Sequence, residues 1–246
     1  MAPVIIAHRG FSGKYPENTM LAFKKAIEIG AGGIELDVHA SKDGQLVVMH
    51  DKNLERTTNG TGLISQKTYE EIANLDAGQG EHPPLLEPVL ALCKDHRSFL
   101  NIEIKARGVE RQVVDLVKKY KAERDVLVSS FLHDVLPVVS RIEPSIQTAV
   151  LVPNSVTGGV SKILGKLFNR PQAALITAAA KVSASAINPF HATCTPAFFK
   201  AALDKGYKVY PWTVDNPAVA MRFASLGAAG IITNRPDLMI AAKIDK

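Results

Sequence analysis

Eight short β-rich runs alternate with helical stretches along this chain, and that alternation limits the fold more than any other feature. The runs are VIIAH (Val4 to His8), GIELDVHA (Gly33 to Ala40), FLNIEIK (Phe99 to Lys105), VLVSSF (Val126 to Phe131), QTAVLV (Gln147 to Val152), ASAINP (Ala184 to Pro189), KVYPWTV (Lys208 to Val214) and AGIITN (Ala229 to Asn234). Helix signals fall between them. Asn18-Thr19 caps a helix running to Ile29, with Gly30 as its stop. LEPVLALCKDH places Leu86, Val89, Leu90 and Cys93 at helical spacing, and VERQVVDLVKKYKA repeats the pattern with Val109, Val113, Leu116 and Val117. Thr195-Pro196 and Asn216-Pro217 open two more helices, and RPDLMIAAK ends the chain.

Parallel strands with helices outside, closed as a (β/α)8 TIM barrel, satisfy this order. A doubly wound open sheet is the main competitor. It calls for a glycine fingerprint after the first strand, and HRGFSG lacks one. The 246 residues suit a single barrel domain. One segment breaks the alternation: Asp43-Gly44 signals a turn, QLVVMHD returns antiparallel or runs over the rim, and about 52–84 reads as a polar, Gly-rich rim insertion. The irregular stretch from Asn154 to Leu167 is expected to form a second rim excursion.

Composition removes several function classes. The net charge of +5 is spread along the chain without a dense Lys/Arg block, so nucleic acid is not expected as a partner. No run of about 20 apolar residues is present, so no stable membrane insertion is expected. The N-terminus lacks a basic start and a long apolar stretch, and the working expectation is a cytoplasmic protein. Cys93 and Cys194 have neither disulfide-framework nor metal-site spacing.

The polar groups inside the strands are the unusual feature. Side chains alternate faces along a strand, so Glu35 and Asp37 share one face while Ile34, Leu36 and Val38 share the other. By the same rule Asn101, Glu103 and Lys105 oppose Ile102 and Ile104. In a barrel the polar set points into the axis near the C-terminal rim, where barrel chemistry sits. Three carboxylates converging there repel one another unless neutralised. All-oxygen ligation by Glu35, Asp37 and Glu103 favours one hard divalent cation, Mg²⁺ or Ca²⁺. The competing account pairs Glu103 with Lys105 and Glu35 with Arg9 as structural ion pairs. His8 and His50 end strand segments beside this cluster and suit acid–base work across a scissile bond. His39 shares the face of Glu35 and Asp37 and is expected to support the site. Arg9 and Lys105 suit an anionic phosphodiester.

HRG, PENT, ELDV, DGQLVVMHD, RTTNGTG, NIEIK, PWTVD and GIITNRPD occur in this order over nearly the whole chain. The ordered set closely resembles the glycerophosphodiester phosphodiesterase family, bacterial and archaeal cytosolic type. The resemblance implies a barrel with a small rim insertion after the second strand. It implies hydrolysis of small-molecule glycerophosphodiesters to sn-glycerol 3-phosphate and an alcohol. It maps the acid/base pair onto His8 and His50, the metal carboxylates onto Glu35, Asp37 and Glu103, and phosphate contacts onto Arg9 and Lys105. Glu17 matches a family position near the site, although an acidic residue before a helix start explains it equally. Trp212 matches an aromatic against the glycerol, with a core aromatic as the alternative. Phe131 and Phe190 follow strands and are candidates for the same mouth.

His8 is read as base and His50 as acid. The nucleophile, water or the glycerol 2-hydroxyl, stays open, as does the oligomeric state. Two rivals stand beside this reading: a lysophospholipase D-type enzyme with SKILGKLF as an apolar lid, and a binding barrel without activity.

Overall fold

The computed structural model describes residues 2–151 and 171–245. Eight parallel strands form the barrel: β1 (Val4–His8), β2 (Gly33–Ala40), β4 (Phe99–Ile104), β5 (Val126–Ser130), β6 (Gln147–Leu151), β7 (Ala186–Asn188), β8 (Lys208–Val209) and β9 (Gly230–Thr233). The ladder runs β8-β7-β6-β5-β4-β2-β1-β9, and β3 (Leu46–Val48) adds antiparallel to β2. The last seam, β8 to β9, closes through three backbone hydrogen bonds: Ala229 to Val209, Ile232 to Pro211 and Val214 to Ile232, at 2.9, 3.1 and 2.9 Å. All eight β-rich runs of the sequence are barrel strands, so the expected (β/α)8 class holds.

Two runs are shorter as regular strands than their composition suggests. KVYPWTV is laddered only over Lys208–Val209 because Pro211 has no N–H to donate, though its carbonyl still accepts from Ile232. ASAINP is regular over Ala186–Asn188 and stops before Pro189.

The helices lie between strands: α1 (Met20–Glu28), α3 (Leu86–His96), α4 (Glu110–Lys119), α5 (Leu136–Ile142), α6 (Pro171–Lys181), α7 (Pro196–Asp204), α8 (Pro217–Ser225) and α9 (Pro236–Ala241). Their starts follow the residues read as caps. Thr19 Oγ1 accepts from Ala22 N–H, Thr195 caps α7 through Phe198 N–H, and Asn216 caps α8 through Ala218 and Val219. Asn18 does not share the capping role; its side chain turns to the site described below. Among the described residues, no helix is long and apolar enough to cross a membrane.

Alternation along each strand sorts the core into two layers. Ile34, Leu36, Val38, Ile102, Ile104 and Val128 face outward and pack with Phe23, Leu90, Val113 and Phe199 of the helices. Ile6, Leu127, Ala149, Ala186, Tyr210 and Ile232 fill the barrel axis. The bottom of the axis holds a stacked pair, Phe99 and Tyr210, with centroids 6.0 Å apart. Gly230 makes room for it: a Cβ there would lie 2.9 Å from the Tyr210 ring and 3.0 Å from the Val4 carbonyl.

Between β3 and α3 the chain passes through a 3₁₀ turn (Ile64–Gln66) and α2 (Tyr69–Ala73). This is the stretch expected as a polar, Gly-rich rim insertion over about 52–84. Its capping box, with Thr68 and Glu71 satisfying each other's backbone N–H groups, was the signal for α2. Val47, Met49, Leu54, Ile64 and Ile72 form a cluster of their own there. The stretch from 154 to 167, expected as a second excursion, lies outside the described residues.

Candidate active site

The site is built first by strand register. β2 turns Glu35 and Asp37 into the barrel, and β4 sets Glu103 directly beside Asp37 and Asn101 beside Glu35. Glu35, Asp37 and Glu103 are 3%, 1% and 7% exposed, yet a carboxylate oxygen from each lies within 4.8 Å of the others. The neighbours show how that is tolerated. Arg9 N–H donates to Glu35 Oε2 at 2.9 Å, and Asn18 Nδ2 donates to Asp37 Oδ2 at 2.9 Å. Lys105 Nζ donates to Glu103 Oε1 at 2.6 Å and lies 3.2 Å from Asp37 Oδ1. Arg9 Nε is 3.4 Å from Asp37 Oδ2. The ion-pair alternative thus holds for Glu103 with Lys105, whereas Glu35 meets the backbone of Arg9 and not its guanidinium.

These partners do not balance the charge. Burial, then the Asp37 and Glu103 charges, raises the Glu35 carboxyl well above its usual range. Burial, then Asp37, pushes Glu103 up to about 7. Asp37 is the exception: burial raises it, but Lys105 and Arg9 outweigh burial and hold it low. Asp37 Oδ1 is buried without an aligned hydrogen-bond donor, the Lys105 ammonium standing near it only as a charge. An all-oxygen donor set short of positive charge fits a hard divalent cation. Among the described residues, Glu35, Asp37 and Glu103 are the group that can hold one.

Two imidazoles face the same space. His8 ends β1, and its Nδ1 lies 2.7 Å from Asn234 Oδ1. The orientation of that amide is fixed from behind, because Asn234 Nδ2 donates to Asp215 Oδ2 at 2.9 Å and Asn234 N–H donates to Asp215 Oδ1 at 2.8 Å. Asn234 Oδ1 must therefore accept, which puts the proton on His8 Nδ1 and leaves Nε2 as the free acceptor, 3.9 Å from Glu35 Oε2. Burial, then Arg9, lowers His8 to about 4, so the ring is neutral near pH 7. His50 Nδ1 lies 2.5 Å from Asp51 Oδ1, and the His50 carbonyl accepts from His39 Nε2 at 3.0 Å. Burial lowers His50, while Asp37 and Asp51 act against that shift.

His8, His50, Arg9, Glu35 and Glu103 open on one cavity of about 120 Å³. Phe131, Leu151, Trp212 and Ile232 form its apolar side. Trp212 is fixed by Nε1 donating to the Asn188 carbonyl at 2.8 Å, and its ring meets Phe131 edge-on at 5.8 Å. Lys105 lies behind the carboxylates with its ammonium 5.7 Å from the Phe131 ring centroid.

Asp37, Lys105, Phe190 and Glu17 are sequence candidates that stand outside this cavity wall, the first two within the carboxylate cluster. Phe190 packs against Trp212 at 5.7 Å and supports it. Glu17 is held between Arg9 and Arg56, and Thr19, not Glu17, caps α1. Sequence reasoning gave no site role to Asn18, Asp51, Arg56, Asp215 or Asn234. They stand in the PENT, DGQLVVMHD, RTTNGTG, PWTVD and GIITNRPD motifs; Asn18, Asp215 and Asn234 meet partners at least 19 positions away, and Arg56 joins the neighbouring Asp51 to the distant Glu17. Asn101 and Ser129 also line the cavity, and Asn101 Oδ1 and Ser129 Oγ are buried without a hydrogen-bond partner.

By comparison with known proteins, the chain stands beside several relatives of nearly the same length. It is 37% identical over 252 residues to a glycerophosphodiester phosphodiesterase of Caldanaerobacter subterraneus, covering 98% of this chain and 97% of that one. The crystal structure of a glycerophosphodiester phosphodiesterase from Agrobacterium tumefaciens superposes with a TM-score of 0.81 at 30% identity, covering 98% of this chain and 100% of that one. An Oleispira antarctica phosphodiesterase, solved with the product sn-glycerol-3-phosphate, matches at TM-score 0.81 and 25% identity over 98% of this chain and 97% of that one. The Glycerophosphoryl diester phosphodiesterase family model matches residues 8–238, so the chain belongs to that family.

Proposed function

We propose that this enzyme hydrolyses glycerophosphodiesters to sn-glycerol 3-phosphate and an alcohol, with His8 as general base, His50 as general acid and one divalent cation, Mg²⁺ or Ca²⁺, on Glu35, Asp37 and Glu103. The observation that carries the reading is that Glu35, Glu103 and two imidazoles open on a single cavity at the C-terminal mouth of the barrel, with Asp37 buried within 4.8 Å of both carboxylates. The product bound by the Oleispira protein supports the same substrate class.

The bound cation would offset the carboxylate charge and polarise a phosphoryl oxygen. The chain's own groups supply the proton transfers. His8 Nε2 takes the proton of the nucleophile, water or the substrate's 2-hydroxyl, as the new O–P bond forms. The P–O bond to the alcohol breaks, and His50, as imidazolium with Nδ1–H on Asp51, delivers its Nε2 proton to the departing alkoxide. Arg9 and Lys105 counter the phosphate charge. The unpaired Asn101 Oδ1 and Ser129 Oγ offer hydrogen-bond positions for glycerol hydroxyls, and Trp212 offers a flat apolar wall for the carbon chain.

The test is release of glycerol 3-phosphate from a panel of glycerophosphodiesters, after chelation and after return of Mg²⁺ or Ca²⁺. Activity that survives exhaustive chelation removes the carboxylate–cation part of the proposal. Unchanged activity in His8→Ala and His50→Ala removes the acid–base part. Turnover of lysophospholipids in preference to glycerophosphocholine would move the enzyme to the lysophospholipase D class.

A further inference from the structure

Arg56 lies on the stretch after β3 and takes no part in the cavity wall, yet it is tied to both sides of the site. Its Nη1 and Nη2 donate to the two oxygens of Glu17 at 3.0 and 2.7 Å. Its Nε donates to Asp51 Oδ2. The other oxygen of Asp51 accepts from His50 Nδ1. Glu17 in turn accepts from Arg9 Nη1 at 2.9 Å. One guanidinium therefore sets the plane of the carboxylate that sets the plane of the imidazole. The fork geometry suits that task, since five donors in one plane fix both partners at once.

The geometry points to Arg56 as a positioning residue for proton donation by His50, acting through Asp51, with Glu17 as its anchor. This inference rests on the general-acid role proposed above. Asp51 left to itself is a partly exposed side chain, with 31% of its surface open, and it can rotate away from His50. Held by Arg56, it keeps the Nδ1 proton in place and favours the imidazolium form of His50, whose second proton, on Nε2, goes to the leaving oxygen and leaves the ring neutral. Hydrogen bonding to Arg56 first, then to His50, holds the Asp51 carboxyl down at about 2 against the raising effect of burial, so it stays an acceptor throughout the working range. The competing account is an ordinary surface ion pair. The Arg56 side chain is 46% exposed, and such pairs contribute little to stability. The two accounts differ in what they do to chemistry.

The experiment compares two substrates in the metal-loaded enzyme: glycerophosphocholine, whose alkoxide must be protonated as it leaves, and glycerophospho-p-nitrophenol, whose phenolate leaves without help. Both are measured in wild type, His50→Ala, Asp51→Asn, Arg56→Ala and the Asp51→Asn/Arg56→Ala double variant. Expected is a loss of about 10–100-fold in kcat for Arg56→Ala on the choline ester, with near wild-type turnover of the aryl ester. The aryl activity also reports that the variant is folded. The double variant is expected to be no slower than Asp51→Asn alone, because the two residues act in series.

If His50→Ala is selective for the choline ester while Arg56→Ala slows both substrates equally, slows neither, or adds to Asp51→Asn, the positioning role of Arg56 is overturned and the acid role of His50 stands. If His50→Ala itself slows both esters equally, the acid assignment fails, and the role of Arg56 fails with it.

Discussion

His8 and Asn234 are 226 positions apart in sequence and 2.7 Å apart in space, and the bond between them decides which nitrogen of His8 is free. Asn234→Ala removes the acceptor for Nδ1–H and lets the ring flip or change tautomer. The expected result is a fall in kcat of about 10–100-fold with a smaller change in KM. Steady-state kinetics on glycerophosphocholine check this. A change confined to KM would show that Asn234 binds substrate instead.

Asn18 is a positioning residue for Asp37. Its Nδ2 is the side-chain amide that donates to the buried Oδ2. Asn18→Ala leaves that oxygen without its donor, and a cation affinity lower by about 10–100-fold is expected. Calorimetric titration of the metal-free variant with Mg²⁺ or Ca²⁺ measures it.

In the metal-free protein Glu103 is expected to contribute a loss of stability as pH rises from 4.5 to about 7. The loss is read as the difference between wild type and Glu103→Gln, because His8, lowered to about 4, contributes with the opposite sign between about 4 and 6.5. The folded-state carboxyl of Glu103 is raised, so over that window the folded protein keeps a proton that the unfolded chain has released, and rising pH favours unfolding. Glu35 is raised as well and acts with the same sign. Asp37 is lowered; its stabilising effect is complete above its ordinary value of 3.8 and fades only as pH falls below that, so it does not cancel the trend. Excess Mg²⁺ or Ca²⁺ should raise Tm, and more so at the upper end, because binding must displace the carboxyl protons. Thermal melts in EDTA and in metal across this range test it. A Tm difference between wild type and Glu103→Gln in EDTA that does not change with pH would contradict the charge account of the cluster.

Gly230→Ala is expected to destabilise the protein by about 1–3 kcal/mol. The added Cβ meets the Val4 carbonyl and the Tyr210 ring, and Val4 is held in the β1–β9 ladder and cannot retreat freely. Urea unfolding should show a lower midpoint with unchanged slope.

The eight strand runs, the Thr19, Thr195 and Asn216 caps and the inward face of Glu35, Asp37 and Glu103 were all legible in the sequence. Each depends on a period or a capping rule that operates within a few residues. The order of motifs pointed to the family for the same reason: it is a linear property of the chain. What the sequence alone settled about this protein was therefore a barrel with carboxylates turned toward its axis. Only the tertiary structure decided that Asn234 locks His8, that Asn18 turns to Asp37 instead of sharing the cap, that Phe131 and not Phe190 lines the cavity, and that Glu17 is pinned to Arg56. Those pairings form where strand ends and rim segments far apart in sequence come to share one mouth, and no local periodicity encodes which side chains meet there.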